Sequence, residues 1–525
     1  MTVALTTVDL VTIAAYFVAV LALGLWAGRR ERDVADYFLA GRTLPWALIG
    51  LSLYASNMSG ASFVGLVGAA YEHGMTVFNY EWTATIVLVF FAAFMLPVFL
   101  RARIFTVPEY LEWRFDRRCR WAYAAFTILA ILFIDTAGAL YAGGIVIATV
   151  VPALSLWQTC AALALVAGAY TLFGGLRAVV VTDALQAVLM IAGAAAICVV
   201  GLEAVGGWDA LFERLDPAMT RLIRPADDPF MPWPGILGVI LLGFYYWSLN
   251  QYFVQRALAA RSLEDGRKGA LFGGLLKLPN LFLMIVPGMI AAALMPGLAS
   301  PDMAFPALAF ELLPVGLRGL VITALIAAIM SSLDSALNAA ASMLTMDFVR
   351  PLRPQISGRA LLAIGRGFTA ILMVLAALYA PMIERFGSLF AYFQSTLAYL
   401  VPPIVAVYML GLFRRRTTPR GAFAGLVAGV AIGFALFAVR EVAGVREPLG
   451  MPDLHFTVMA VALFVLTLAI VAVADAAGHP LPAPAETVFR REDLRAPRGL
   501  ARARDYRGQA AALIAATCAM IVWLA

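Results

Sequence analysis

An all-α integral membrane protein of about fourteen transmembrane helices is the fold class this sequence predicts, on three observations. The 525-residue chain is 63% hydrophobic and only 13% charged, where soluble domains carry about 25% charged residues. Its mean hydropathy is +0.88, with the apolar residues gathered in runs of about 18 or more, the length that crosses a bilayer as helix. Two of these runs, at matching places in the chain, turn polar at their centres, which argues for broken helices.

The apolar runs place helices near 9–28, 44–71, 75–100, 121–150, 157–175, 178–202 and 234–256, then near 270–296, 318–348, 361–380, 388–412, 420–439, 455–475 and 508–525. Met1–Thr7 has no cationic stretch and Leu10–Gly28 runs straight into Arg29-Arg30, so the first segment is expected to stay as a helix rather than be cleaved. Basic residues orient the set. With the N-terminus outside, thirty of the 38 Lys and Arg residues fall in inner loops, seven in outer loops, and Lys277 in the membrane. The even helix count then puts both termini outside. The same asymmetry accounts for the net charge of +6 as membrane topology and gives no reason to expect nucleic acid.

The domain plan follows. Residues 1–43 hold an extra helix and the first inner loop; 44–202 form a first repeat of five helices; 203–233 are an outer loop. A second five-helix set spans 234–412. Two peripheral helices occupy 413–475, a mobile cytoplasmic linker 476–507, and the last helix 508–525. Because five is odd, the second repeat is inverted relative to the first. In Thr43–Tyr71, 29 residues without a charge, the stretch Tyr54-Ala55-Ser56-Asn57-Met58-Ser59-Gly60-Ala61-Ser62 is small and polar. Gly243–Gln251 is the polar, aromatic counterpart in the second repeat. A weak helical centre is tolerated in lipid only where it is buried or lines a wet cavity, and paired interruptions of this kind mark the binding site of secondary transporters. Close packing through small residues is the alternative reading of either stretch taken alone.

Ionisable groups at bilayer depth mark function by default, and the candidates are Glu81, Asp135, Asp183, Lys277 and Asp334. Asp135 has no evident partner in the sequence. Asp347 reads as interfacial. Around Asp334, residues Ala328, Ser331, Ser332 and Ser335 share one helical face. Hydroxyls and a carboxylate offer hard oxygen ligands, which suit a hard cation and not zinc or copper. Carbonyls freed at Ala55 and Met58 would complete the shell. Glu81, Gln394, Lys277, Asn57, Tyr246 and Trp247 combine hydrogen-bonding groups with flat aromatic faces, a mix that suits a polyhydroxylated ring. A carboxylate substrate would want a buried arginine, and the loop assignment leaves none mid-membrane. Nothing points to an enzyme: Cys119, Cys160, Cys198 and Cys518 are scattered, and His73, His455 and His479 fall at helix ends or in loops.

The motifs resemble the sodium:solute symporter family, and within it the sodium/glucose (galactose) branch. They include Asp36-Tyr37-Phe38-Leu39-Ala40-Gly41-Arg42, Ser52–Asn57, Glu81-Trp82, Val107-Pro108-Glu109-Tyr110 and Thr182-Asp183-Ala184-Leu185-Gln186. Tyr246-Trp247, Asn250-Gln251, Leu276-Lys277, Met330-Ser331-Ser332-Leu333 and Thr345-Met346-Asp347 continue the series, from about residue 9 to 440. The resemblance implies a LeuT-type 5+5 inverted repeat working by alternating access. It implies a main sodium site from the Ala55, Met58 and Ala328 carbonyls with the Ser331 and Ser332 hydroxyls, and a second in some relatives at Asp183, Ser331, Asp334 and Ser335. Substrate contacts would map to Glu81, Lys277 and Gln394, with Tyr246 and Trp247 as the inner gate. Ser62 stands where sugar carriers usually have His or Gln, and Gly243 where one bacterial type has Asn, which widens the pocket.

The function expected is sodium-coupled symport of a small polar solute, most readily a sugar, across a bacterial inner membrane. A polyol or inositol, a carboxylate, an amino acid, and a proton at Asp334 remain open at this point, as does a sensor that kept a transporter fold.

Overall fold

The computed structural model describes the whole chain except residues 1–5, 29–33, 151–152, 172–174, 387, 443–453, 477–483, 496–504 and 525. The Arg29-Arg30-Arg32 group and the His479–Pro482 stretch therefore lie outside the described residues. Among those described there is no strand; the fold is helical throughout, with two isolated bridges.

Each apolar run is helical. Among the described residues nine helices are long and apolar enough to cross a bilayer, eleven when two bent pairs are each taken as one span. The bent pairs are Leu263–Lys277 with Leu281–Leu294, at 41°, and Leu389–Leu400 with Pro402–Phe413, at 47°. Proline explains both bends, since Pro279 and Pro402 each remove a backbone donor from the ladder. The other three expected segments are short or interrupted, and the two interrupted ones carry the site.

The first interruption falls where the polar stretch predicts it. Helix Trp46–Asn57 stops, Met58 takes φ −74 and ψ 68, and helical backbone resumes through Ser62–Leu66 and Val67–His73. Gly60 sits in the gap because there is no room for more: a Cβ there would meet Ile329 Cγ1 at 2.9 Å and Ala142 Cβ at 3.1 Å. The second interruption lies between Ile236–Ser248 and Gln251–Leu258, at Leu249 and Asn250. Asn250 caps the new start, its side chain accepting from Tyr252 N, the usual device for an exposed helix N-terminus.

Helix Leu317–Met343 is the partner of the first broken span and is buried along nearly its whole length. It packs on Leu176–Val205, Thr7–Gly28 and Trp46–Asn57. Its N-terminus is answered by Asp9, which accepts from Gly316 N at 3.1 Å and Gly319 N at 2.8 Å. The start of the first broken span is pinned to the end of the second: Leu44 N donates to Ala259 O at 3.0 Å and Arg261 N to Leu44 O at 3.1 Å.

Two expectations change. Asp347 is not interfacial but fully buried, accepting from Thr106 Oγ1 at 2.6 Å and from Arg120 Nε at 2.7 Å. Nor is the 476–507 linker loose where it is described. Phe489 N donates to Leu412 O at 3.0 Å, Tyr110 Oη to Thr487 O at 2.9 Å, and Arg101 pairs with Asp493. The carbonyls of Glu486, Thr487 and Val488 and the Asp493 carboxylate are what dock this segment. At the opposite end of the bundle His73 stacks on Phe230 with ring centroids 3.6 Å apart.

Breaking a buried ion pair by removing one partner costs about 3–5 kcal/mol. Arg120→Met is therefore expected to destabilise by about that much in a detergent unfolding series, because Asp347 keeps an unanswered charge. Adding Asp347→Asn to it is expected to recover most of the loss.

Candidate functional site

A helix that ends inside the membrane leaves its last carbonyls without intrahelical donors and carries partial negative charge there. In Trp46–Asn57 the Tyr54 carbonyl is answered by Met58 N at 2.9 Å, and the Asn57 carbonyl by Ser59 N at 2.8 Å and Ser62 Oγ at 2.9 Å. The Ala55 and Ser56 carbonyls instead face the buried helix. Ser331 Oγ lies 3.0 Å from Ala55 O and 3.1 Å from Ala328 O; Ser332 Oγ lies 3.4 Å from Ser56 O and 2.9 Å from Ala328 O. Each serine has one proton to give, and Ala328 O, which already takes the helical N–H of Ser332, competes for both, so the Ala55 and Ser56 carbonyls are only partly served. A set of oxygens with no sulfur or nitrogen is of the kind a hard cation takes.

The structure brings Ala55, Ala328, Ser331 and Ser332 together as the spacing predicts. Met58 lies at the break itself; the contacts from its span to the serine pair run through Ala55 and Ser56. The Ser56 carbonyl was missed because an intact helix would have kept it occupied.

One helical turn deeper the sequence reading needs correction. Arg256, one of the thirty basic residues that the orientation count places in inner loops, is fully buried with its guanidinium against the partner helix. Its Nη2 pairs with Asp183 Oδ2 at 3.0 Å and donates to Ser56 Oγ at 2.5 Å and to Ser335 Oγ; its Nε donates to Ser52 Oγ at 2.5 Å. So a buried arginine does lie at membrane depth. It already serves Asp183 and Ser335, two of the residues expected to hold a second sodium. Asp334, on the same helix, is buried. The signal was present in Val254-Gln255-Arg256: the second break makes Gln251–Leu258 a short half-helix whose residues are all buried, not the start of a loop.

On the other side of the first break lies a cavity of about 100 Å³. Asn57, Ser62, Glu81, Gly243, Tyr246, Trp247 and Gln394 all line it, with Tyr80, Phe390 and Phe393. Lys277 does not. It stands one layer behind, its Nζ 2.5 Å from Glu81 Oε2, bonded to Asn57 Oδ1, and 5.5 Å from the Trp247 ring centroid. Asn280, not foreseen, also donates to Glu81 Oε2 and accepts from Tyr54 Oη at 3.0 Å. Pro279 turns the chain between Lys277 and Asn280, so both side chains reach the same carboxylate. Among the lining residues the only formal charge is thus already balanced. Space beside Gly243 is small: a Cβ there would meet Val87 Cγ2 at 3.3 Å.

The model of the sodium:solute symporter family matches residues 37–429. The chain belongs to the sodium:solute symporter family. It is 35% identical over 463 residues to the sodium/glucose cotransporter of Vibrio parahaemolyticus, covering 82% of this chain and 84% of that protein. It is 35% identical to sodium/myo-inositol cotransporter 2 of Sus scrofa, covering 81% and 69%, and 36% identical to a sodium/mannose cotransporter of Bos taurus, covering 89% and 86%. In fold it is similar to a sodium-coupled sialic acid symporter, with TM-score 0.78 at 22% identity over 91% of this chain and 99% of that one. The fold is the LeuT type, and the protein is a sodium-coupled solute symporter.

Ser332→Ala removes one hydroxyl from a five-oxygen cluster without opening a cavity. It is expected to weaken sodium binding at least about tenfold, the order of one lost ligand contact, measured as the sodium concentration that half-maximally raises the melting temperature. Ser342→Ala, on the same helix but hydrogen-bonded only to Ala339 O, is expected to leave that concentration unchanged.

Proposed function

We propose that this symporter moves one sodium ion together with a neutral polyhydroxylated solute of monosaccharide size, and that the two bind on either side of the first broken span. The observation that carries the reading is the charge balance of the cavity. Glu81 is neutralised by Lys277, and the buried Arg256 is committed to Asp183. That leaves directed hydrogen-bonding groups (Glu81, Asn57, Ser62, Gln394) and the faces of Tyr246 and Trp247, which together suit hydroxyls and C–H surfaces. A carboxylate or a free amino acid would bring a charge for which the lining offers no partner. The relatives that transport glucose, mannose and myo-inositol support the same class of solute.

Sodium enters the oxygen cluster between Ala55, Ser56, Ala328, Ser331 and Ser332 and ties the broken span to its partner helix. Asn57 begins the cavity two residues after Ala55, so fixing that end of the helix also fixes the solute's polar contacts. One ion suffices energetically. At −100 mV its entry supplies about 2.3 kcal/mol, and a tenfold gradient adds about 1.4 kcal/mol, enough to concentrate a neutral solute on the order of several hundredfold. With Arg256 acting as a tethered cation among Asp183, Ser56 and Ser335, a second sodium is not part of the reading. The arginine-rich face is taken as cytoplasmic, with both termini outside, in a bacterial inner membrane.

The test is a melting-temperature screen of purified protein with hexoses, inositols, sialic acid, carboxylates and amino acids, each in sodium and in potassium. A neutral sugar or polyol is expected to stabilise only in sodium. Stabilisation by an acid and by no neutral solute would overturn the assignment.

A further inference from the structure

Asp135 has no partner in the sequence, but the fold gives it one. It sits on a π-helical turn, Ile131–Thr136; such one-turn insertions often mark functional positions in helices. Its Oδ1 accepts from Tyr252 Oη at 3.1 Å, and Tyr252 Oη is 3.0 Å from Tyr246 Oη. A phenol has one proton. Tyr252 Oη stands as donor toward both oxygens; with its one proton spent on the carboxylate, as charge favours, Tyr246 turns its own proton toward Tyr252.

The direction continues upward. The Asn57 side chain lies beside the Tyr246 hydroxyl, and Asn57 Oδ1 is taken up by the Lys277 ammonium. The Asn57 amide group then faces the oxygen lone pairs of Tyr246. Every link from Lys277 through Asn57, Tyr246 and Tyr252 to Asp135 runs the same way, from a cation to an anion. Chains aligned like this reinforce each of their bonds. The chain also crosses both interruptions. Asn57 ends the first half-helix of one broken span, while Tyr246 and Tyr252 lie on opposite sides of the break at Leu249 and Asn250. Phe253 backs the same place, with ring centroids 4.6 Å from Tyr246 and 4.9 Å from Trp247.

We propose that Asp135 is a positioning residue for the cytoplasmic gate: by accepting from Tyr252 it holds Tyr246 closed beneath the solute cavity and turns the Tyr246 oxygen, as an acceptor, toward Asn57 and the solute. This rests on the reading of Tyr246 and Trp247 as the gate. Opening toward the arginine-rich face requires Tyr246 to leave Tyr252, so the strength of the Asp135 end sets how firmly the gate stays shut before the solute arrives.

The experiment is solute-free sodium flux into proteoliposomes of the full-length protein, with each variant checked for monodispersity. Tyr246→Ala, which removes the gate itself, is expected to leak. Tyr252→Phe keeps its ring contacts and Asp135→Leu removes the acceptor. Each is expected to raise the leak at least about tenfold, the order of one lost charge-assisted hydrogen bond. Their combination is expected to leak no more than either alone. Asp135→Asn, which keeps an acceptor oxygen, is expected to stay within about threefold of the unmodified protein. No leak in Tyr246→Ala would overturn the gate reading and this proposal with it. A leak in Tyr246→Ala but none in Tyr252→Phe, additive effects in the double variant, or Asp135→Asn leaking like Asp135→Leu would overturn the role of Asp135 alone.

Discussion

A helix that stops halfway across the bilayer has to find donors or cations for its last carbonyls, because the surrounding hydrocarbon has none to offer. Much of the site follows from how this protein meets that demand at Ala55 and Ser56. Facing them with apolar side chains would leave two buried acceptors unpaired, at about 1–3 kcal/mol each. Facing them with a full set of donors would make the break permanent. The structure does something between the two. It supplies Ser331 and Ser332, whose hydroxyls are shared between the Ala55, Ser56 and Ala328 carbonyls. On the proposed reading a sodium ion completes that junction, so its stability and its occupancy become one quantity.

Arg256 shows the complementary solution. Around Asp183 the missing charge is covalently tethered, and Ser52, Ser56 and Ser335 surround the pair. Ser56 contributes its hydroxyl to this ion pair and its carbonyl to the contact with Ser332. On the proposed reading a fixed charge and an exchangeable one therefore sit on opposite sides of a single residue. The fixed pair ties the Trp46–Asn57 half-helix to Leu176–Val205 through Ser52, Ser56 and Asp183 without any ion.

Much of this was legible from residue order. The apolar runs located the helices because bilayer crossing demands length and composition together, and the two polar interruptions located the breaks because backbone polarity cannot be hidden in lipid. The line of Ala328, Ser331, Ser332 and Ser335 was readable as a face, and five of the cavity's polar and aromatic residues, Asn57, Glu81, Tyr246, Trp247 and Gln394, followed from membrane depth and residue type. What escaped depended on chain direction after a break. Arg256 looks like a loop residue until Leu249 and Asn250 turn the chain so that Gln251–Leu258 runs inside the protein. Lys277 looks like a solute ligand until the turn at Pro279 places it behind the cavity wall, paired with the lining carboxylate of Glu81. The Tyr246–Tyr252 pair, six residues apart, is on no common face of an unbroken helix. Docking of the 484–495 segment likewise depends on contacts distant in sequence, through Arg101, Tyr110 and Leu412.

The most direct test of sodium as the bond between the broken span and its partner is amide hydrogen exchange of the full-length protein in sodium against potassium, without solute. Peptides covering residues 52–60 and 326–336 are expected to exchange more slowly in sodium, while Leu361–Thr369 on the outer helix is unchanged. Equal exchange of both peptides in the two salts, or sodium protection confined to other parts of the chain, would contradict it.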